Sequence, residues 1–315
     1  MAVPPPKSPM TESGRVLAAI DSLPTLPIVA LQIGEVIHDK NVSVDQVARI
    51  LRTDPATSAK LLRLVNSSYF GIPGGVSDVA KAIPFIGFNT LYQLVLSIGV
   101  LDTLQASVSG GFDPRALWLH SLTVATAARE LAGEIKVADA GACFTAGLLH
   151  DMGKIALAKI SPDRFAEACA MVSEQGIAQE EAERLSGLAP HDRVGAHLAK
   201  QWRFPANLAT PIEQHHGIHK VGVRERLAPN LRNITEIVSA ADFVAHAAAE
   251  RFDDQPNVIG AERAEPEVNE MLERNGYSGV KLQALCDRTL QQLEKSKMFI
   301  SIIDGPKLQT AAKAG

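Results

Sequence analysis

Apolar residues return every three or four positions along nearly the whole chain, while runs that alternate apolar with polar residues are scarce. That period lays one face of each segment against a core and predicts α-helix. Short breaks such as LPTLP, GIPGG, SGGFDP and DGP separate the helical stretches; Gly and Pro interrupt the helical backbone at such points. The expectation is an all-α fold of two helical subdomains, the first an N-terminal helical bundle. The division is placed at ASVSGGFDP, 106–114, between two strong helical patterns. Residues 1–14, opening MAVPPPKSPM, read as a disordered tail, 15–108 as the first subdomain, 109–250 as the second and 251–315 as closing helices.

Local chemistry places several helix starts. Ser43 caps SVDQVARIL, and Asp54 followed by Pro55 opens DPATSAKLLRLVNSS, because both side chains accept from free first-turn N–H groups. FNTLYQLVLSIGVLDTL is apolar on most faces and reads as the central helix of its half. Further helices are expected over about 114–132, 138–158, 162–175, 191–202, 206–216, 231–250 and 280–298.

Composition narrows the function classes. The net charge of −4 argues against a mainly electrostatic nucleic-acid binder, since phosphate recognition calls for a basic surface. Arg52, Lys60 and Arg63 lie close to acidic Asp45 and Asp54 and read as a solvated charged face. Cys143, Cys169 and Cys286 form no CxxC pattern, so neither a disulfide framework nor a thiolate metal site is indicated. LYQLVLSIGVL is too short and interrupted to span a bilayer, which needs about 20 apolar residues. A cytoplasmic protein without membrane or nucleic-acid partners is expected.

Helical spacing sorts the nine histidines. His120 steps with Leu117, Val124, Ala127 and Leu131 on an apolar face. Asp151 steps with Phe144, Leu148 and Ile155, and His150 is about 100° round the same helix. His191 aligns with Val194, Leu198 and Trp202; His215 aligns with Leu208 and Ile212, with His216 adjacent. Asp242 aligns with Val238 and Ala245, and His246 shares its side. His38, His197 and His219 are placed outside.

The inward polar set is therefore His120, His150, Asp151, His191, His215, His216 and Asp242. Any one of these alone has an ordinary explanation as a hydrogen-bonded core residue. Together they would need seven separate compensations for buried polarity. One or two divalent transition-metal ions satisfy them all. Imidazoles and carboxylates without thiolate suit Fe, Mn, Co, Zn or Ni; Fe or Mn is favoured, with Zn or Ni next.

With these residues in place, the chain resembles the HD superfamily of metal-dependent phosphohydrolases, and more closely the HDOD (HD-related output domain) family. LWLHSLTVATAARELA, GLLHDMGKIAL, HDRVGAHLAKQWRFP, IEQHH and VSAADF carry the HD half; LPTLP, DPATSAKLLRLVNSSYFG and AIPFIGFNTLYQLVLS carry the HDOD half. The resemblance covers about residues 15–250 and implies an HD-like second subdomain. It implies that His120, His150, Asp151 and Asp242 match the core HD ligands, while His191, His215 and His216 match the added histidines of the HD-GYP branch. Lys154 matches that branch's phosphate-contacting lysine. After the paired histidines the chain reads GIHKVGVRERLAPN, without the Gly-Tyr-Pro loop. The resemblance thus implies a signal-transduction output module working through a partner protein, without established catalysis. The alternative is an active phosphohydrolase on a nucleotide or cyclic dinucleotide, with Asp151 and Lys154 as its catalytic residues.

Overall fold

The computed structural model describes residues 19–21, 23–37, 39–67, 70–104, 114–136, 138–220, 222–249, 261–276 and 282–303. The expected tail, nearly all of the break at 106–114, His38 and parts of the closing segment lie outside the described residues. Among the described residues every regular element is a helix and there is no strand, as the periodicity predicts.

The first half contains α1 (Ile28–Val36), α2 (Val44–Arg52), α3 (Pro55–Val65) and α4 (Val79–Leu104). Ser43 accepts from Gln46 N at 3.2 Å, and Asp54 accepts from Thr57 N at 3.0 Å, so both expected caps form. The first three helices pack on α4. Within α4, Gly87 takes φ 76°, ψ 165° and kinks the helix; a positive φ of this kind favours a residue without Cβ. Beyond the kink every residue from Leu91 to Leu101 is buried, which makes α4 the central helix of its half. By length and composition α4 could cross a bilayer, but 61% of its most apolar window is buried inside the fold. Arg52 forks onto Asp78 at 3.0 and 3.1 Å and Lys60 bonds Asp102, so these two cations are engaged within the fold.

The second half contains α5 (Pro114–Ile135), α6 (Ala140–Leu149), α7 (Met152–Ile160), α8 (Pro162–Gln175), α9 (Gln179–Leu185), α10 (His191–Gln201), α11 (Ala206–Gln214), α12 (Val223–Arg226), α13 (Pro229–Ala249), α14 (Ala261–Arg274) and α15 (Leu282–Ile303). Helix α5 packs against α6, α13 and α15; α7 packs on α10, α10 on α11, and α11 on both α6 and α13. One continuous set of buried side chains runs from Ile20 to Cys286 through both halves.

Two expectations need correction. The single helix expected over 138–158 is divided: α6 stops at Leu149 and α7 starts at Met152. Asp151 sits between them with φ −98°, ψ 11°, in the bridge region that functional residues often occupy. The apolar period runs through the division unbroken, so periodicity could not show it. The short α9 was also not expected; its charged QEEAERL stretch carries little apolar period.

Glycines set how closely these helices approach. A Cβ on Gly153 would lie 2.0 Å from His191 O and 2.8 Å from Gly195 N. The start of α7 therefore touches the start of α10 backbone to backbone, and that contact brings Asp151 and His191 together.

Candidate metal centre

Five elements converge on one polar cluster. Helix α5 supplies His120, the α6–α7 junction His150 and Asp151, the start of α10 His191, the end of α11 His215 and His216, and α13 Asp242. His150, His191 and His215 are 0–1% exposed, Asp151 is 1% exposed and Asp242 7%. Every residue of the expected inward set reaches this one region.

Ring orientation is fixed from behind. His150 Nδ1 donates to Gly147 O at 2.7 Å. His215 Nδ1 faces Pro211 O at 3.1 Å and Ile212 O at 3.0 Å. His191 Nδ1 lies 3.0 Å from both carboxylate oxygens of Glu183. Each of these partners only accepts, so Nδ1 must carry the proton, and in a neutral ring Nε2 then presents a lone pair to the cluster.

Asp151 joins two groups of donor atoms. Its Oδ1 lies 3.3 Å from His191 Nε2 and 3.7 Å from His215 Nε2; His216 Nε2 is 3.1 Å from His191 Nε2. Its Oδ2 lies 3.3 Å from His150 Nε2 and 3.7 Å from His120 Nε2. Asp242 Oδ1 lies 3.1 Å from His120 Nε2 and 3.8 Å from His150 Nε2. Three sets each hold their ligand atoms within 4.8 Å: Asp151 with His191, His215 and His216; His120 with His150 and Asp151; and His120 with Asp242 and His246. Despite this closeness, His120 Nε2, His150 Nε2, Asp151 Oδ1 and His215 Nε2 are buried without a hydrogen-bond partner. Such groups cost roughly 1–3 kcal/mol each when left unsatisfied. The donor sets therefore fit divalent cations: His215 Nε2 belongs to the first set, His120 and His150 Nε2 to the second, and Asp151 is common to both.

The protonation balance follows from burial and the carboxylates. Burial dominates at His215 and holds its pKa down at about 3, with His150 adding repulsion; burial also lowers His216 well below the usual range. His246 is lowered to about 4, again by burial. At His191 burial opposes charge, but the Glu183 carboxylate outweighs it and raises the pKa to about 10. Burial pushes Asp151 up, yet His150 and Lys154 bring it well below the usual carboxylate range. Asp242 is lowered likewise, by His246 and His120 against burial.

Lys154 Nζ donates to Asp151 Oδ2 at 2.6 Å. This lysine is neither a solvated helix-end residue nor directed away from the cluster; it is held to the central carboxylate. His197 pairs with Asp21 at 2.8 Å, and His219 Nε2 bonds Ser239 at 2.9 Å with its Nδ1 3.3 Å from Glu267 Oε2, so both lie outside the cluster as expected.

Sequence reasoning missed two participants. Glu183 is fully buried and holds both the backbone N and the ring of His191. It stands eight residues earlier, across a non-helical GLAP break, so no helical spacing ties the two. His246 was placed beside Asp242 but left out of the set; its Nε2 is 3.5 Å from Asp242 Oδ1. The i,i+4 spacing was the available indication.

A family model for the HDOD domain matches residues 23–218. The chain belongs to the HDOD family. An HDOD domain protein of unknown function from Geobacter sulfurreducens has a similar crystal structure, with TM-score 0.68 and 24% identity over 94% of this chain and 97% of that one. A candidate phosphohydrolase from Shewanella amazonensis gives TM-score 0.68 and 24% identity over 92% and 98%. A candidate signal-transduction protein from Marinobacter aquaeolei gives TM-score 0.69 at 17% identity, covering 93% of this chain and 66% of that one. At these identities the likeness is one of fold. An uncharacterized protein of Treponema pallidum is 26% identical over 226 residues, which are 69% of this chain and 43% of that protein. The HDOD chain thus spans less than half the length of that relative.

Proposed function

We propose that this HDOD chain is a signal-transduction output module whose second half carries a divalent transition-metal centre and which acts through a partner protein. The observation that carries the metal reading is the convergence of four buried, unpartnered donor atoms, on His120, His150, Asp151 and His215. His191, His216 and Asp242 complete the ligand set. One or two ions are accommodated, with iron or manganese favoured by the nitrogen and oxygen donors. When bound, such an ion supplies a polarised water and a positive charge for an anionic group.

The chain's own residues favour binding over turnover. Lys154 is engaged with Asp151. In the GIHKVGVRERLAPN segment His219 and Arg224 are engaged with other elements. His219 bonds Ser239, and Arg224 donates to the buried Glu236 at 2.6 Å, which Arg274 also approaches at 3.4 Å. Two side chains of this segment are thus engaged with α13. Positioning accounts for several kcal/mol of many barriers, so an intact centre without it turns over slowly. The second reading, a phosphohydrolase acting on a nucleotide or cyclic dinucleotide, is favoured by the intact donor set.

Elemental analysis of protein purified without chelator, beside turnover assays with cyclic di-GMP and Fe(II), Mn(II) or Zn(II), separates the readings. Bound metal with no turnover is expected, and Asp151→Ala should lose metal while keeping its helicity. Multiple turnovers abolished by Asp151→Ala would establish the enzyme instead. Absence of any bound metal would overturn the metal centre.

A further inference from the structure

The cluster is not uniform in depth. His150, His191 and His215 have side chains 0% exposed, whereas those of His120 and His246 are 19% and 27% exposed. This partly exposed pair flanks Asp242, whose Oδ1 lies 3.1 Å from His120 Nε2 and 3.5 Å from His246 Nε2. His150 Nε2 approaches the same oxygen at 3.8 Å. Three imidazole nitrogens thus crowd one oxygen that has two lone pairs. His120 Nε2 is nonetheless buried without a hydrogen-bond partner.

Backbone placement makes the crowding a built feature. Asp242 and His246 are one turn apart on α13, so they share a face, and that face meets His120 on α5, the helix α13 packs against. The rings of His120 and His246 are 4.9 Å apart between centroids and tilted by 43°. The ligand atoms of His120, Asp242 and His246 lie within 4.8 Å of one another. Two nitrogens and one carboxylate oxygen from three side chains are the donor set of an open transition-metal site, with further positions left to water.

We propose that His246 completes an outer cation site with His120 and Asp242, at the solvent edge of the centre and separate from the inner group of Asp151, His191, His215 and His216. The inference rests on the metal reading above and extends it to a residue and a second ion. The outer site has three protein ligands and a solvent-reachable edge; the inner group has four, mostly buried. The outer ion therefore exchanges faster.

The test uses the full chain stripped by chelator and reloaded with Zn(II) alone. Zinc content is measured by equilibrium dialysis, and zinc release is followed with a colorimetric chelator. Wild type is expected to hold two ions per chain and to release one at least 10-fold faster than the other. His246→Ala and His246→Gln should each hold one ion and lose the fast phase, with helicity by circular dichroism unchanged. His215→Ala should keep the fast phase and lose the slow one. Two ions with an unchanged fast phase in both His246 variants would overturn the outer site and leave the centre standing. A wild type that binds one zinc, indifferent to His246, would do the same. A wild type that binds no zinc would overturn both.

Discussion

At the scale of single residues, the chemistry of the centre is decided by what stands behind each ring. Glu183 receives the backbone N–H of His191 at 2.8 Å and its ring Nδ1 at 3.0 Å. Carboxylates behind a ligating imidazole fix its tautomer, and their loss typically costs about 10–100-fold in metal affinity. Glu183→Ala should weaken zinc binding by about that factor, and Glu183→Gln by less, because the amide retains one acceptor. Equal affinity in all three proteins, by competition against a chelator, would remove Glu183 from this role. The metal-free protein should also carry an acid-sensitive term. The His215 ring stays neutral down to about pH 3 in the fold, whereas an unfolded histidine takes its proton near pH 6.5. Between those values the unfolded chain binds more protons, so stability falls as pH drops through that window. His246, lowered to about 4, acts in the same direction. His191, raised to about 10, acts oppositely: its contribution is lost as pH rises from about 6.5. Thermal melts of chelated protein should show His215→Phe flattening the acid slope; an unchanged slope would contradict the assignment.

At the scale of elements, the junction of α6 and α7 is the decisive piece. Ending one helix at Leu149 and starting the next at Met152 leaves Asp151 free of side-chain capping, so its carboxylate faces the histidines and Lys154. The contact of α7 with α10 depends on Gly153, where a Cβ would meet His191 O at 2.0 Å. The obstruction is backbone, which cannot swing aside as a side-chain tip could. Gly153→Ala should therefore destabilise by about 1–3 kcal/mol, the usual cost of overpacking, and should lower metal content by displacing His191. A chemical-denaturation midpoint and zinc content both equal to wild type would show that this approach is unimportant.

At the scale of the whole molecule, the two halves share one buried core from Ile20 to Cys286. Helix α6 touches α4 of the first half on one side and α5, α11 and α13 of the second on the other. Subdomains joined in this way should unfold together. Urea transitions followed by circular dichroism and by fluorescence of Trp118 and Trp202, both buried in the second half, are expected to coincide. Two separated transitions would show that the halves are independent units.

The sequence by itself determined the all-helical class, the helix starts at Ser43 and Asp54, and the inward direction of His120, His150, Asp151, His191, His215, His216 and Asp242. These depend on local quantities: a period of 3.6, caps within three residues, and side chains sharing a helix face. Family membership was legible for the same reason, because its motifs are short and ordered along the chain. Tertiary structure alone decided the rest. The division at Asp151 is set by the close approach of α7 to α10, and an apolar period runs through it without a mark. Glu183 reaches His191 across a turn, Arg224 meets Glu236 between elements, and His246 matters because α13 lies against α5. Each is a contact between segments whose relative placement is fixed by packing, and packing leaves no period in a single segment.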